Sequence, residues 1–263
     1  MTTAALPQTC SAASNRLWVW PAGAAYLGAT PGLAAHAASV HCLVIGVDAA
    51  VTVQADGSEP VTARSVLIPP RTVMRLILPP DARALFCYAD VTRARAADLS
   101  ARMAGARPPL FTDHRDESDL IELCDRGLPD GYDIMKIVAA EPSPAIDPRI
   151  SRTTERFAHD PAGRCAADVC ADREGMSRSH FLRTFAAETG TSFRQYRLWM
   201  RMLHVARSVA DGADLTRASA DAGFASPSHF SDTFLRMFGM TATALLGLAG
   251  APIVLGGRRA AAS

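Results

Sequence analysis

Between Ser177 and Arg207 the chain carries Arg178, Arg183, Arg194, Arg197, Arg201 and Arg207 against one acid, Glu188. A guanidinium presents a planar fork of donors that fits phosphate oxygens and the O6/N7 edge of guanine. The chemistry on offer is recognition of nucleic acid, and these arginines sit in and after one copy of a repeat. Residues 177–192 read SRSHFLRTFAAETGTS and residues 226–241 read SPSHFSDTFLRMFGMT. The copies match at Ser177/Ser226, Ser179/Ser228, His180/His229, Phe181/Phe230, Thr184/Thr233, Phe185/Phe234 and Gly190/Gly239, an offset of 49 positions. Each follows a short Ala-rich stretch and a glycine, AADVCADREGMS before the first and TRASADAGFAS before the second. A helix, a glycine turn and a Ser-capped helix is the helix-turn-helix plan. Two copies imply two helices set into neighbouring stretches of DNA major groove.

Phe181 and Phe185, like Phe230 and Phe234, stand at i, i+4 and share one side of their helix. That side is read as core. The groove side then falls to the positions between them. These are Arg178, Ser179, Leu182, Arg183 and Ala186 in the first unit, and Pro227, Ser228, Ser231, Asp232 and Leu235 in the second. Arg183 is the first choice for a base reader. His180 and His229 flank the phenylalanines and either bond phosphate or pack the unit, the packing role being favoured. Ser177 and Ser226 are expected N-caps whose exposed amides also suit phosphate.

Residues 193–209, FRQYRLWMRMLHVARSV, form a helix without internal Gly or Pro, capped by Thr191 or Ser192. Tyr196, Met200, Leu203, Val205 and Val209 give it an apolar side. Arg194, Arg197 and Arg201 lie elsewhere and are expected to meet phosphates. At roughly 1.5 Å per residue this helix separates two reading heads by about 25–30 Å, compatible with the ~34 Å between successive major grooves.

These features carry a resemblance. DPRI (147–150), GMS (175–177), F-x-x-x-F-x-x-E-T-G-T-S at 181–192, AGF-x-S-x-SHF at 222–230 and F-x-x-x-FG-M-T at 234–241 resemble the DNA-binding domain of AraC-type transcription regulators. The likeness spans about 100 residues. It implies seven helices in two helix-turn-helix units joined by one long helix. It also implies a second domain, often a cupin-like barrel, that senses a small molecule or mediates dimerisation, and RNA polymerase as a partner of an activator. The chain departs from the pattern at Asp232, where many relatives have Arg or Lys. A carboxylate there is repelled by phosphate, although it can accept from cytosine N4. Arg236, four residues on, is expected to pair with it.

The rest of the chain fits a two-domain reading. Its 263 residues suffice for two cores. With 49% hydrophobic and 20% charged residues it is globular, and a net charge of +1 excludes a chain that is basic throughout. The runs 41–48, 50–54, 61–68, 72–78 and 84–91 are rich in Val, Ile and Leu and separated by Asp56-Gly57, Pro69-Pro70 and Pro79-Pro80, which predicts short antiparallel strands. LWVWPAGAAYLGATPGL adds one or two more. Residues 93–104 predict a helix ended by Pro108-Pro109, with further helices near 116–126 and 131–140 and a proline-rich joint at 141–148.

The expected class is α+β: an antiparallel β barrel or sandwich, cupin-like, with helices, then an all-α domain. Its expected parts are a regulatory domain at 1–105, a helical dimer or linker region at 106–146, the DNA-binding domain at 147–248 and a disordered tail at 249–263. The partners expected are double-stranded DNA, a small-molecule effector and a second copy in a homodimer. The acids Asp113, Asp116, Glu117, Asp119, Glu122, Asp125, Asp130 and Asp133 are expected to form a solvated face, or to touch the arginine-rich half when DNA is absent. His36 and His41 lie five apart and make no H-x-H pair, so neither metal nor catalytic residues nor a cofactor is expected. This disfavours the alternative of a cupin-type metal enzyme. A regulator that acts mainly through protein partners stays open because of Asp232. Trp18, Trp20, Tyr26, His36, His41, Arg71 and Arg75 are candidates to line an effector pocket. Six scattered cysteines and no signal-peptide pattern predict a cytoplasmic protein with reduced thiols.

Overall fold

The computed structural model describes residues 15–20, 23–30, 32–89, 95–126, 131–139, 146–163, 165–249 and 254–255. The N-terminal strands are β1 (Arg16–Trp20), β2 (Gly23–Ala29), β3 (His41–Gly46), β4 (Val51–Ala55), β5 (Val61–Ala63), β6 (Ser65–Ile68), β7 (Met74–Ile77) and β8 (Arg83–Ala89). After helix α1 (Ala96–Ala101) come β9 (Met103–Arg107) and β10 (Leu110–His114), then α2 (Glu117–Asp125) and α3 (Gly131–Ala139). A short β11 (Val254–Leu255) closes the described chain. The large sheet runs β11-β1-β2-β8-β3-β6-β10-β9, and a smaller sheet runs β5-β4-β7. Pairing is antiparallel except between β1 and β11.

The strands read as unbroken apolar runs because both faces of the large sheet are covered. Val19, Tyr26, Val44, Val66, Phe86 and Tyr88 face one way, toward Val51, Val53 and Leu76 of the small sheet and toward the C-terminal helices. Trp18, Leu27, Leu43, Ile45, Leu67, Leu85 and Cys87 face the other way, onto Leu99, Leu120, Ile134 and Val138 of α1, α2 and α3. Strand alternation sorts the two sets residue by residue.

Three expectations change. The helix predicted over 93–104 is confined to Ala96–Ala101, and the sheet continues to His114 through a hairpin with Pro108-Pro109 in its turn. The inward positions of β10 are Leu110, Thr112 and His114, and two buried polar residues disguise the alternation. The tail expected to be disordered contains β11, whose Val254 and Leu255 pair with Trp18 and Val19. Most of the proline-rich joint at 141–148 lies outside the described residues.

The C-terminal part is α4 (Pro148–His159), α5 (Ala167–Arg173), α6 (Arg178–Thr189), α7 (Phe193–Ala210), α8 (Leu215–Asp221), α9 (Pro227–Phe238) and α10 (Ala242–Ala249). Asp147 opens it by accepting from the Arg149 amide at 2.9 Å, with Pro148 at the first helical position. The Arg149 guanidinium at 2.6 Å holds the Asp147 carboxyl down to about 2.

Candidate nucleic-acid interface

The two repeat copies fold alike down to single hydrogen bonds. After α5, Gly175 takes φ +65° and the Met176 amide returns to Ala171 O at 2.9 Å. After α8, Gly223 takes φ +80° and the Phe224 amide returns to Ser219 O at 3.1 Å. Glycine alone reaches this left-handed turn without cost. Ser177 Oγ then accepts from the His180 amide at 3.3 Å, and Ser226 Oγ accepts from the His229 amide at 3.0 Å. Both N-caps are where the repeat puts them. Ser192, rather than Thr191, caps α7 by accepting from the Gln195 amide at 3.3 Å.

The phenylalanine side turns inward. Phe181 and Phe185 are fully buried, with ring centroids 5.5 and 5.3 Å from Phe193. Phe230 is buried 5.3 Å from Phe224, while Phe234 is half-buried and stacks obliquely on Phe238 at 4.6 Å. This leaves Arg178, Ser179, His180, Arg183 and Ala186 exposed on α6, with Leu182 half-buried. On α9 it leaves Pro227, Ser228, Ser231, Asp232, Leu235 and Arg236 exposed. His229 packs its unit: its Nδ1 accepts from the Ala225 amide at 3.4 Å and its ring stands edge-on to Phe224 at 5.5 Å.

Arg236 does not pair with Asp232. Its guanidinium donates to Thr233 Oγ1 at 3.4 Å, leaving the Asp232 carboxylate on the open face. Of the three arginines expected at phosphate on the joining helix, Arg194 is exposed near its start. The other two are used inside the protein. Arg197 donates to Gly163 O at 3.0 Å and lies over the rings of Phe157 and Phe193. Arg201 donates to Pro161 O at 3.3 Å and lies over Phe224. Burial draws both below the ordinary arginine pKa. They brace the turn at 161–163 against α7.

Sequence reading passed over Glu174, whose side chain is only 3% exposed and takes both Arg152 and Arg156. These partners lie 22 and 18 residues away, beyond any local pattern. The pair ties α4 to the turn of the first unit. Cys165 and Cys170 are disulfide-bonded, against the expectation of thiols throughout. Cys42, Cys87 and Cys124 are free and buried, and burial pushes Cys87 up to about 12 and Cys124 to about 11. Cys10 lies outside the described residues.

The N-terminal domain rests on the second unit and on α7. Ala34 and Ala37 donate backbone amides to Gly239 O and Arg236 O at 2.9 and 3.0 Å. Ser39 donates to Gln195 Oε1 at 2.9 Å, and Arg207 donates to Trp20 O at 2.9 Å. The Tyr88 ring lies 5.8 Å from Trp199 and 5.4 Å from Phe238. Beside the expected apolar side, Phe193, Trp199 and Met202 of α7 are also buried.

Among the described residues the acidic face makes no pair with the arginine-rich half. Among the described residues Asp116 pairs with Arg102, Glu122 with Arg126, Asp125 with Arg83 and Glu117 with Ser65, all within the N-terminal domain. Of the seven expected pocket residues only Tyr26 lines the cavity between the domains. Alternation on β1 turns Trp18 to the opposite face, and Leu17 and Val19 take its place.

Comparison with known proteins agrees with this geometry. Residues 170–247 match a family described as a helix-turn-helix domain. No curated protein sequence matches the chain. An apo ToxT variant from Vibrio cholerae strain SCE256 is similar over 89% of this chain and 97% of its own, with TM-score 0.56 and 14% identity. ToxT from Vibrio cholerae O395 is similar over 90% and 98%, with TM-score 0.55 and 12% identity. Wild-type ToxT of strain SCE256 with an unsaturated fatty acid bound is similar over 91% and 95%, with TM-score 0.53 and 13% identity. Among the described residues no helix is long and apolar enough to cross a membrane. Two capped, glycine-turned units on one joining helix, docked on a β-rich domain, make residues 170–247 a helix-turn-helix domain and give the chain the fold seen in ToxT.

Proposed function

We propose that this protein regulates transcription by binding a specific double-stranded DNA site through α6 and α9. The observation that carries the reading is the exposed face of α6, where Arg178 and Arg183 stand beside a free helix N-terminus capped by Ser177. Arg183 is the base reader; Ser177, Ser226 and Arg194 serve phosphate. The second unit, with Asp232 on its face, supplies specificity more than affinity. The 18 residues of α7 set the two units about 27 Å apart along its axis. The protein acts in the cytoplasm, where its DNA lies, and contacts RNA polymerase if it activates. The N-terminal domain controls it through a small molecule or through pairing with a second copy. The fatty acid named in the ToxT structure supports the first of these.

The test is titration of the purified protein with duplex DNA from upstream of its own gene, beside random duplex libraries, at several salt concentrations. Selection of one sequence with a steep salt slope supports the reading. Equal weak binding to every duplex in the library overturns it.

A further inference from the structure

The segment between α4 and α5 touches both helix-turn-helix units. Gly163 O accepts from Arg197 and Pro161 O from Arg201, which fixes the segment on the joining helix. A Cβ on Gly223 would stand 3.2 Å from Ala162 Cα, so the glycine turn of the second unit lies directly on it. At its other end Cys165 is bonded to Cys170 in the middle of α5, the opening helix of the first unit. Their Cα atoms are 6.2 Å apart, within the span of a disulfide. Cys170 is buried in the core that holds Phe181 and Phe185 under α6. The segment is thus a strut from one unit to the other, and the disulfide is its fastening to the first.

The fastening is reachable. Both cysteines line an open cleft of about 730 Å³, within the ~300–1,000 Å³ of small-molecule sites. Its walls carry Arg152, Arg156 and Arg173 with Glu155, Asp160 and Glu174, which suits a zwitterionic peptide thiol. Cys165 is half-buried and Cys170 is 2% exposed, so a thiol arriving through the cleft meets the Cys165 sulfur. By contrast Cys42, Cys87 and Cys124 are free and buried, and burial pushes each thiol up, which makes them inert. Disulfides in a reducing cytoplasm are typically transient, catalytic or redox-sensing rather than permanent.

We infer that Cys165–Cys170 is an exchange site for a small peptide thiol of the glutathione class, whose redox state sets how firmly the strut ties the two units together. A glutathione thiolate attacks Cys165 Sγ and forms a mixed disulfide. The Cys165–Cys170 bond breaks, and Cys170 Sγ leaves with the electron pair and takes a proton from water. A second thiolate attacks the glutathione sulfur and releases Cys165, which is protonated in turn. The protein gains two electrons and two protons, and two glutathiones become one glutathione disulfide. The reverse exchange, with glutathione disulfide as oxidant, restores the fastening. The inference rests on the cytoplasmic site of action proposed above, but two of its three readouts need no DNA.

The full-length protein is equilibrated with graded mixtures of reduced and oxidised glutathione, alkylated and peptide-mapped. Cys165 and Cys170 are expected to pass together, reversibly, between dithiol and disulfide within the series. In the reduced form, amide hydrogen exchange at 167–171 and at 223–224 speeds up by about 5-fold or more. Affinity for the selected duplex falls by about 3- to 10-fold, because a loosened strut must be re-ordered on binding. Cys165→Ser behaves as the reduced protein in every mixture; Cys170→Ser repeats this if circular dichroism shows it folded. A pair fixed in one state across the series overturns the inference. So does amide exchange at 223–224, or affinity for a selected duplex, that ignores the state of the pair. If the pair and the amides respond but no duplex is selected, the proposed function falls and this site stands.

Discussion

The amide of Ala37 donates to the carbonyl of Arg236 at 3.0 Å, so the N-terminal domain holds the last turn of the second recognition helix. The grip continues at Gly239, the left-handed C-cap of α9, whose carbonyl accepts from Ala34. A Cβ at position 239 would stand 2.5 Å from His36 Nδ1 and 2.8 Å from Ala34 O, at φ +74°. Gly239→Ala is expected to destabilise the protein by about 2 kcal/mol or more, from the left-handed conformation together with the clash. Urea unfolding of the full chain measures this. A loss within ~0.5 kcal/mol would mean the two domains do not press on each other here.

Arg183 and Arg194 should separate by the kind of contact they make. Arg183→Ala is expected to lower affinity for the specific duplex by about 1–3 kcal/mol and to relax discrimination at one base position. Arg194→Ala should weaken all duplexes alike and reduce the salt slope by about 1. Titrations of both variants at several salt concentrations decide it. A uniform loss in Arg183→Ala would make it a phosphate contact.

Asp232 is exposed on α9 and has no help from Arg236, which turns to Thr233. Removing a carboxylate that faces phosphates should tighten binding to specific and scrambled duplexes equally, by about 2- to 5-fold at low salt. If Asp232→Ala instead weakens only the specific duplex, Asp232 reads cytosine.

Acid should loosen the N-terminal domain before it touches the DNA-binding face. Burial lowers His41 from 6.5 to about 4 and lowers His36 and His114 in the same direction. The folded state thus keeps His41 neutral while the unfolded chain takes up a proton. Stability is complete above pH 6.5 and falls as pH drops toward 4, by on the order of 3 kcal/mol for His41. His41 Nδ1 also lacks a partner, so His41→Leu should flatten the slope in this window. Urea midpoints at pH 7, 6, 5 and 4 provide the check. An unchanged slope in the variant would assign the acid sensitivity to other groups.

The repeat made the C-terminal half legible, because caps, turn glycines and the i, i+4 phenylalanines are local signals. Ser177, Ser226, Gly190 and Gly239 act as their spacing says. The roles of Arg197 and Arg201 were not legible, since their acceptors at Gly163 and Pro161 lie 34 and 40 residues away. The hairpin at 103–114 was hidden by Thr112 and His114, polar residues at inward positions. The interdomain cavity escaped because its walls come from two domains, and no periodicity within one segment places Thr30 and Trp199 on the same space.

The most direct test is hydroxyl-radical footprinting of the full protein on its selected duplex. Two helix-turn-helix units on one joining helix predict two protected patches on one face of the duplex, about one helical turn apart, with the patch under α6 lost in Arg183→Ala. A single patch unaffected by that substitution, or uniform protection without phase, would contradict the account.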